Sequence, residues 1–138
     1  MKFVYERQVF YYETDQMGIV HHSNYIRWFE EARTYLLEQI GIPYAEMEKE
    51  GILIPVLEVS SEYRHPVRFG DVFCVELFCS RFNGIRWTFE YNVYNKATGE
   101  LCNTGNSSHC FLKRDMRPFN MKKAYPGMYE KLMKAMEG

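Results

Sequence analysis

The sequence predicts an α+β protein in which one long helix covers one face of a curled antiparallel sheet. Residues 24–40 carry apolar side chains at three- and four-residue steps, which is the period of an amphipathic helix. From residue 52 onward the period changes to two, which is typical of strands with one buried face. The dipeptide Asn83-Gly84 separates two such segments and is a strong signal for a two-residue hairpin.

The first half of the chain combines one strand with two helices. Residues 3–11 mix aromatic and charged side chains and predict a strand, and residues 12–22 form a connection. The helix over 24–40 ends before Gly41, which suits the left-handed backbone of a helix end. A short second helix is expected over 43–50.

Four further strands and a last helix make up the second half. We expect the strands at about 53–64, 72–82, 86–93 and 100–113, and the helix at about 126–137. Tight turns join the last three strands, so these must be antiparallel neighbours.

Alternation within these strands predicts their faces. In the third of the four strands, one face is formed by Trp87, Phe89, Tyr91 and Val93. In the first of them, one side is formed by Leu57, Val59 and Tyr63. The last strand contains the small residues CNTGNSSHC, which suit a close approach of sheet to helix, with His109 as a hydrogen-bonded core residue.

Composition bounds the class of protein. The length suits a single domain over residues 1–138. The net charge is −1, from 17 basic and 18 acidic residues, and no block of like charge predicts nucleic-acid binding. No run of 18 apolar residues predicts a membrane span, and the segment MKFVYERQVF lacks the apolar core of a signal peptide. We therefore expect a cytoplasmic protein.

The cysteines predict neither disulfides nor a zinc site. Disulfides are rare in a reducing cytosol, so buried free thiols are expected instead. The spacings of the cysteines match no common zinc pattern; they are Cys74, Cys79, Cys102 and Cys110. A metal held by Asp15 and the His21-His22 pair is also disfavoured, since neighbouring side chains in an extended chain point apart.

Asp15 has two interpretations, either a turn or cap residue or a reactive carboxylate. Gly18 allows the loop to approach a ligand closely, and a helix begins about eight residues after Asp15. The first amides of a helix lack internal partners and can polarise a carbonyl group. A carboxylate facing that carbonyl could attack it or activate a water molecule.

Two segments resemble a known family. DQMGIVHHSNY, residues 15–25, resembles the pattern D-x-x-G-x-V-x-(H or Y)-x-x-Y of the hotdog-fold acyl-CoA thioesterases. YRHPVRFGD, residues 63–71, resembles the pattern Y-x-x-P-x-x-x-G-D of the same proteins. They form the 4-hydroxybenzoyl-CoA thioesterase-like group, which includes the Tol-Pal-associated enzymes. The predicted element order agrees with this group over nearly the whole chain.

The resemblance implies a five-stranded antiparallel sheet wrapped around a central helix, and a homodimer or homotetramer with its active site at the dimer interface. It implies hydrolysis of an acyl-CoA or aroyl-CoA thioester to the free acid and CoA. No cofactor is implied beyond the coenzyme A of the substrate. Asp15 would be the catalytic nucleophile or general base, and amides near His22 and Ser23 would receive the thioester oxygen.

Other residues are expected at the substrate. His22 would lie beside it, and the Tyr25 hydroxyl could brace the loop that contains Gly18. Arg64 and Arg68 could contact the phosphates of CoA. Aromatic and Met side chains are expected to line the pocket for the acyl tail. A thioesterase acting on acyl carrier protein, and a non-catalytic protein that binds acyl-CoA, are the alternatives; a hotdog dehydratase fits the motif less well.

Overall fold

A computed structural model of the protein describes residues 2–137, so the terminal residue at each end of the predicted domain 1–138 lies outside the described residues. The elements in chain order are β1 (Lys2–Gln8), a 3-10 turn (Tyr11–Glu13), α1 (Ser23–Gln39), α2 (Tyr44–Lys49), β2 (Val56–Tyr63), β3 (Val72–Phe82), β4 (Arg86–Asn95), β5 (Leu101–Cys110), α3 (Met121–Ala124) and α4 (Pro126–Glu137). This order confirms the predicted sequence of strands and long helices.

The five strands form one antiparallel sheet in the order β1-β3-β4-β5-β2. The last three strands of the chain are neighbours, as their tight turns predicted. β2 lies at one edge and pairs only with β5 among the described strands. Its apolar side chains are exposed, and these are Val56, Leu57, Val59 and Tyr63.

Helix α1 covers the inner face of the sheet. The Trp28 ring stacks on Phe73 of β3 with centroids 3.7 Å apart, and the Phe29 ring stacks on Tyr91 of β4 at 4.2 Å. The inward face of β4 is buried as its alternation predicted. Large aromatic pairs of this kind bury much apolar area, so they hold the helix to the sheet.

The small residues of β5 allow the helix to come close, as expected. A side-chain carbon added at Gly105 would lie 2.5 Å from the Ser60 carbonyl oxygen and 2.6 Å from the ring of Phe29. Both distances are shorter than van der Waals contact. No residue larger than glycine could therefore fit at position 105 unless α1 or β2 moved.

Three predicted strands are too long and one helix was missed. β2 begins at Val56 rather than at residue 53. β1 ends at Gln8 rather than at residue 11, because the backbone turns there and the Phe10 amide donates to the side chain of Glu13 instead of to a sheet neighbour. The fifth strand ends at Cys110, three residues early. The short α3 was not predicted; it begins at Met121, and the side chain of the preceding Asn120 caps it by accepting a hydrogen bond from the Lys122 amide.

A chain of buried hydrogen bonds crosses the inner face of the sheet. Arg33 donates to the Tyr91 hydroxyl (2.9 Å), which lies 2.6 Å from Ser107 Oγ, and Ser107 Oγ lies 2.8 Å from His109 Nε2. Since Tyr91 receives a proton at its oxygen, its own proton points to Ser107, and Ser107 donates to His109. Burial, reinforced by the Arg33 charge, lowers the pKa of His109 to about 4, so this ring is neutral at pH 7. The prediction of a hydrogen-bonded core histidine is confirmed.

The four cysteines are free thiols; Cys74 and Cys102 are buried, whereas Cys79 and Cys110 are only partly buried. Burial raises the pKa of Cys74, Cys79 and Cys102. Between residues 2 and 137, no helix has both the length and the apolar character needed to cross a membrane.

Candidate active site

Asp15 lies at the tip of a small hairpin between the 3-10 turn and α1. Its amide donates to the Ile19 carbonyl (2.9 Å), and the Gly18 amide donates back to the Asp15 carbonyl (3.0 Å). Gly18 has a φ of +77°, a left-handed conformation that glycine adopts without steric cost. The glycine is thus required by the turn itself.

One oxygen of the Asp15 carboxylate is held and the other is available. The Met17 amide donates to Oδ1 at 2.8 Å. Among residues 2–137, no protein group donates to Oδ2. The side chain is partly exposed. A carboxylate fixed through one oxygen keeps its orientation while the second oxygen can meet a ligand.

The second motif holds this hairpin in place through its backbone. The Val20 amide donates to the Val67 carbonyl (2.8 Å), and Ile19 forms an isolated antiparallel bridge with Arg68. The Arg68 amide donates in turn to Asp71 Oδ2 (2.9 Å). The two motifs that are far apart in sequence are therefore in direct contact.

At the start of α1, one of the two amides expected to be available for a ligand is already hydrogen-bonded. The Ser23 amide donates to His21 Nδ1 (3.2 Å), and the Ser23 hydroxyl lies 2.9 Å from the same nitrogen. The Asn24 amide donates to the His21 carbonyl (3.0 Å). The His22 amide has no acceptor within the described part of the chain. Of the two amides proposed for the thioester oxygen, only that of His22 is unoccupied.

An open groove of about 610 Å³ lies in front of Asp15 and the start of α1. Its wall is formed by Tyr11, Tyr12, Thr14, Asp15, Gln16, His21, Ser23, Asn24 and Arg27. Asp15, Ser23 and His21 thus share one groove wall. His21 Nδ1 accepts from the Ser23 amide, which leaves Nε2 as the ring nitrogen that can donate to a ligand.

The other predicted site residues lie around this groove rather than in its wall. The exposed His22 ring contacts Tyr63 of β2 edge-to-face, and the Tyr63 hydroxyl donates to the His22 carbonyl (3.1 Å). Tyr25 is buried against Trp28 and Tyr63, and burial raises its pKa to about 12. Tyr25 therefore packs beneath the site.

Arg64 and Arg68 are both exposed. The Arg64 guanidinium lies 3.6 Å from Glu62, in a solvent-exposed pair that stabilises the fold little. Neither side chain lines the groove at Asp15. Their contact with CoA phosphates stays a prediction.

A second, more enclosed cavity of about 210 Å³ lies between the middle of α1 and the sheet. Its lining combines apolar side chains with two charged ones, and consists of Glu30, Arg33, Thr34, Leu37, Tyr44, Ile54, Val56, Trp87 and Phe89. Both spaces have aromatic residues in their lining and neither has Met, which was expected in the pocket for the acyl tail. The buried methionines Met47 and Met121 instead fill the apolar core.

Sequence reasoning missed Glu13, the buried acid two residues before Asp15. Only 3% of Glu13 is exposed, and Arg7 forms a bidentate ion pair with it at 2.7 and 2.9 Å. Its neighbours in sequence are polar and aromatic, so no pattern of alternation marked it. The spacing E-x-D before the glycine was the available signal. Elsewhere, residues 2–137 contain no cluster of three or more His, Cys, Asp or Glu arranged to hold a metal ion.

Comparison with known proteins decides the family. The Thioesterase-like superfamily matches residues 9–134. The chain belongs to this superfamily. The resemblance seen in the two motifs is thereby confirmed, and so is the expectation of a thioester hydrolase.

Individual relatives cover almost the whole chain. A Bacillus subtilis (strain 168) protein, YneP, named as an acyl-CoA thioesterase, is 40% identical over 131 residues, which is 94% of each chain. Among solved structures, the DHNA-CoA thioesterase of Staphylococcus aureus is 30% identical, with a TM-score of 0.92 over 99% of this chain and 91% of that one. A protein from Aquifex aeolicus is 34% identical, with a TM-score of 0.85 over 97% and 98%. The predicted hotdog fold is confirmed.

Proposed function

We propose that this member of the superfamily hydrolyses an acyl-CoA or aroyl-CoA thioester to the free acid and CoA, with Asp15 as the reacting carboxylate. The observation that carries the proposal is the Asp15 side chain, held at Oδ1 by the Met17 amide and free at Oδ2 on the wall of a groove. The relative YneP, which matches over most of the chain, is named for this activity.

The His22 amide is proposed to polarise the thioester carbonyl. It stands at the N-terminus of a 17-residue helix, where aligned peptide dipoles give a partial positive charge. A donor that is already oriented stabilises an oxyanion without reorganisation during the reaction. In one route Asp15 Oδ2 attacks the carbonyl carbon and expels the CoA thiolate to give an acyl anhydride, which a water molecule then hydrolyses to the free acid and the Asp15 carboxylate. In the other route Asp15 deprotonates a water molecule that attacks the carbonyl carbon directly. In both routes the CoA thiolate leaves and takes up a proton.

The test replaces Asp15 by asparagine. The amide oxygen of Asn can still accept from Met17, so the hairpin keeps its geometry while the nucleophile or base is lost. We expect kcat in a thiol-release assay over an acyl-CoA panel to fall by at least about 100-fold. Undiminished hydrolysis by Asp15→Asn would contradict the assignment.

The matched control is Asp115→Asn. Asp115 Oδ1 accepts from the Arg117 amide two residues on (3.1 Å), which repeats the local contact of Asp15, but Asp115 does not line the groove. This variant is expected to keep the wild-type rate. If both variants lost kcat to a similar extent, the loss would reflect disturbance of the turn and not removal of a reacting carboxylate, and it would not support the assignment of Asp15.

The proposed assembly is a homodimer formed along the edge of β2. This strand exposes a row of apolar side chains together with unpaired backbone groups, which is a surface that proteins usually cover. Tyr63 of the same strand contacts His22, so a partner on this edge would lie beside the groove. Light scattering on the wild type should give a dimer or tetramer, and Val59→Lys should shift it toward the monomer. A monomeric wild type would contradict the proposal.

Substrate panels separate the alternatives. Matched acyl groups on CoA and on acyl carrier protein should react faster as the CoA ester if the proposal holds, and the reverse order would favour the carrier-protein thioesterase. Binding of CoA esters without turnover across the panel would favour the non-catalytic protein.

A further inference from the structure

Glu13 is buried at the junction of β1, the Asp15 hairpin and α1. Its exposed fraction is 3%, although Tyr11 and Tyr12 beside it are largely exposed. A buried carboxylate is costly unless charge and hydrogen bonds compensate for the lost water. The contacts of the Glu13 carboxylate next to the Asp15 hairpin therefore indicate what it stabilises.

Four donors surround the Glu13 carboxylate and use both of its oxygens. Oε1 accepts from Arg7 Nη1 (2.9 Å) and from the Phe10 amide (2.8 Å). Oε2 accepts from Arg7 Nη2 (2.7 Å) and from Trp28 Nε1 (2.8 Å). Burial alone would raise the pKa of Glu13, but the hydrogen bonds from Arg7, Trp28 and Phe10 outweigh it and hold the pKa below its usual value.

The backbone of the same residue holds the other end of the hairpin. The Glu13 carbonyl accepts from the His21 amide (2.8 Å) and from Asn24 Nδ2 (2.9 Å). Asn24 is itself buried in the first turn of α1. Thr14 and Val20, the next residues inward, form an antiparallel bridge. The hairpin that carries Asp15 therefore begins at Glu13, and its other end, at His21, is hydrogen-bonded to the Glu13 carbonyl.

We propose that Glu13 is a positioning residue, which sets the Asp15 carboxylate relative to the His22 amide at the start of α1. Through its side chain it attaches the hairpin to Arg7 of the sheet and to Trp28 of the helix. Through its carbonyl it fixes the chain one residue before His22. The proposal rests on the proposed function of Asp15, and concerns the rate of the chemical step rather than the binding of CoA.

The experiment compares Glu13→Gln with Glu31→Gln. Glu31 also accepts from Arg7 (2.7 and 3.0 Å), and from Tyr5 (2.8 Å), but has no hydrogen bond to the Asp15 hairpin. Each substitution removes one carboxylate from the same guanidinium, so the pair separates loss of an ion pair from loss of positioning. Steady-state kinetics would use the best substrate of the acyl-CoA panel, at a temperature where thermal unfolding shows both variants folded.

We expect Glu13→Gln to lower kcat on the order of 10- to 100-fold with KM changed less than about twofold, because small displacements of a reacting group cost that much. Glu31→Gln should keep kcat within about twofold. Trp28→Phe removes one donor to Glu13 and keeps the ring on Phe73, so it should lower kcat in the same direction by a smaller factor.

Amide hydrogen exchange gives a readout besides activity. The amides of Asp15 and His21 should exchange faster in Glu13→Gln and unchanged in Glu31→Gln, while β4 stays protected in both. Equal losses of kcat in the two glutamine variants, or an unaltered kcat in Glu13→Gln, would overturn the positioning role. Absence of thioester hydrolysis by the wild type would instead overturn the proposed function, and the exchange comparison would still decide whether Glu13 holds the hairpin.

Discussion

Gly105→Ala is expected to destabilise the fold more than any ordinary glycine substitution. The new methyl carbon would lie 2.5 Å from the Ser60 carbonyl oxygen and 2.6 Å from two ring carbons of Phe29. The Phe29 ring is fully buried and stacked on Tyr91, so it cannot rotate away. The Ser60 oxygen belongs to the backbone of β2, which could retreat only by weakening its pairing with β5.

The magnitude follows from these contacts. Overpacking a rigid core costs about 1–3 kcal/mol, and a clash that involves both a stacked ring and a backbone atom belongs at the upper end. A loss of about 3 kcal/mol should lower Tm by roughly 10 °C in a chain of this size. Denaturant titration and a thermal scan of the purified protein would measure both quantities.

Gly127→Ala is the matched control for this prediction. Gly127 lies in the first turn of α4, and an added methyl group would meet nothing within 4 Å. Alanine there should be neutral or stabilise the fold by up to about 1 kcal/mol. The double variant Gly105→Ala with Phe29→Leu should lose less than the sum of its parts, since the smaller side chain relieves the clash. A Gly105→Ala protein as stable as the wild type would refute the close approach of β5 to α1.

Two further predictions concern buried charge. Burial and the Arg33 charge lower the pKa of His109 in the folded protein from 6.5 to about 4. The unfolded chain therefore binds more protons than the folded chain between these pH values. The contribution of His109 to the free energy of unfolding should fall by about 3 kcal/mol as pH drops from 7 to 4. His109→Gln should show a correspondingly shallower pH dependence in denaturant titrations, and an identical dependence would contradict the buried neutral ring. Arg7→Met should lower the free energy of unfolding by about 3–5 kcal/mol at pH 7, because Glu13 and Glu31 lose the cation they share. A loss below about 1 kcal/mol in urea unfolding would contradict a stabilising role of these two ion pairs.

The sequence was most informative where a local period repeats. The α1 stripe and the alternation of β4 are read directly from neighbouring residues, and α4 occupies the predicted residues 126–137. Strand ends were less predictable, because the end of β1 depends on a hydrogen bond to Glu13, which lies beyond it. The position of β2 at the sheet edge also depends on pairings between segments far apart in sequence.

In the candidate site, too, local spacing could be read from the sequence, whereas contacts between distant segments could not. Asp15, Gly18 and the helix start were proposed from their spacing, and Asp15 and Ser23 both lie on the wall of one groove. Glu13 could not be identified in this way, because its buried contacts depend on Arg7 and Trp28 coming together from two different elements. The occupation of the Ser23 amide by His21 depends on a side-chain conformation, which no residue pattern specifies.

The buried thiols have a consequence for a chain that handles thioesters. Acyl groups pass readily from a thioester to a free thiolate, so a reactive cysteine near the substrate would become acylated. Burial raises the pKa of Cys74, Cys79 and Cys102, which lowers their thiolate fraction further, and the protonated form is a poor nucleophile. The fold thereby protects these three side chains from modification by the chain's own substrate, and the acyl group is left to pass to water.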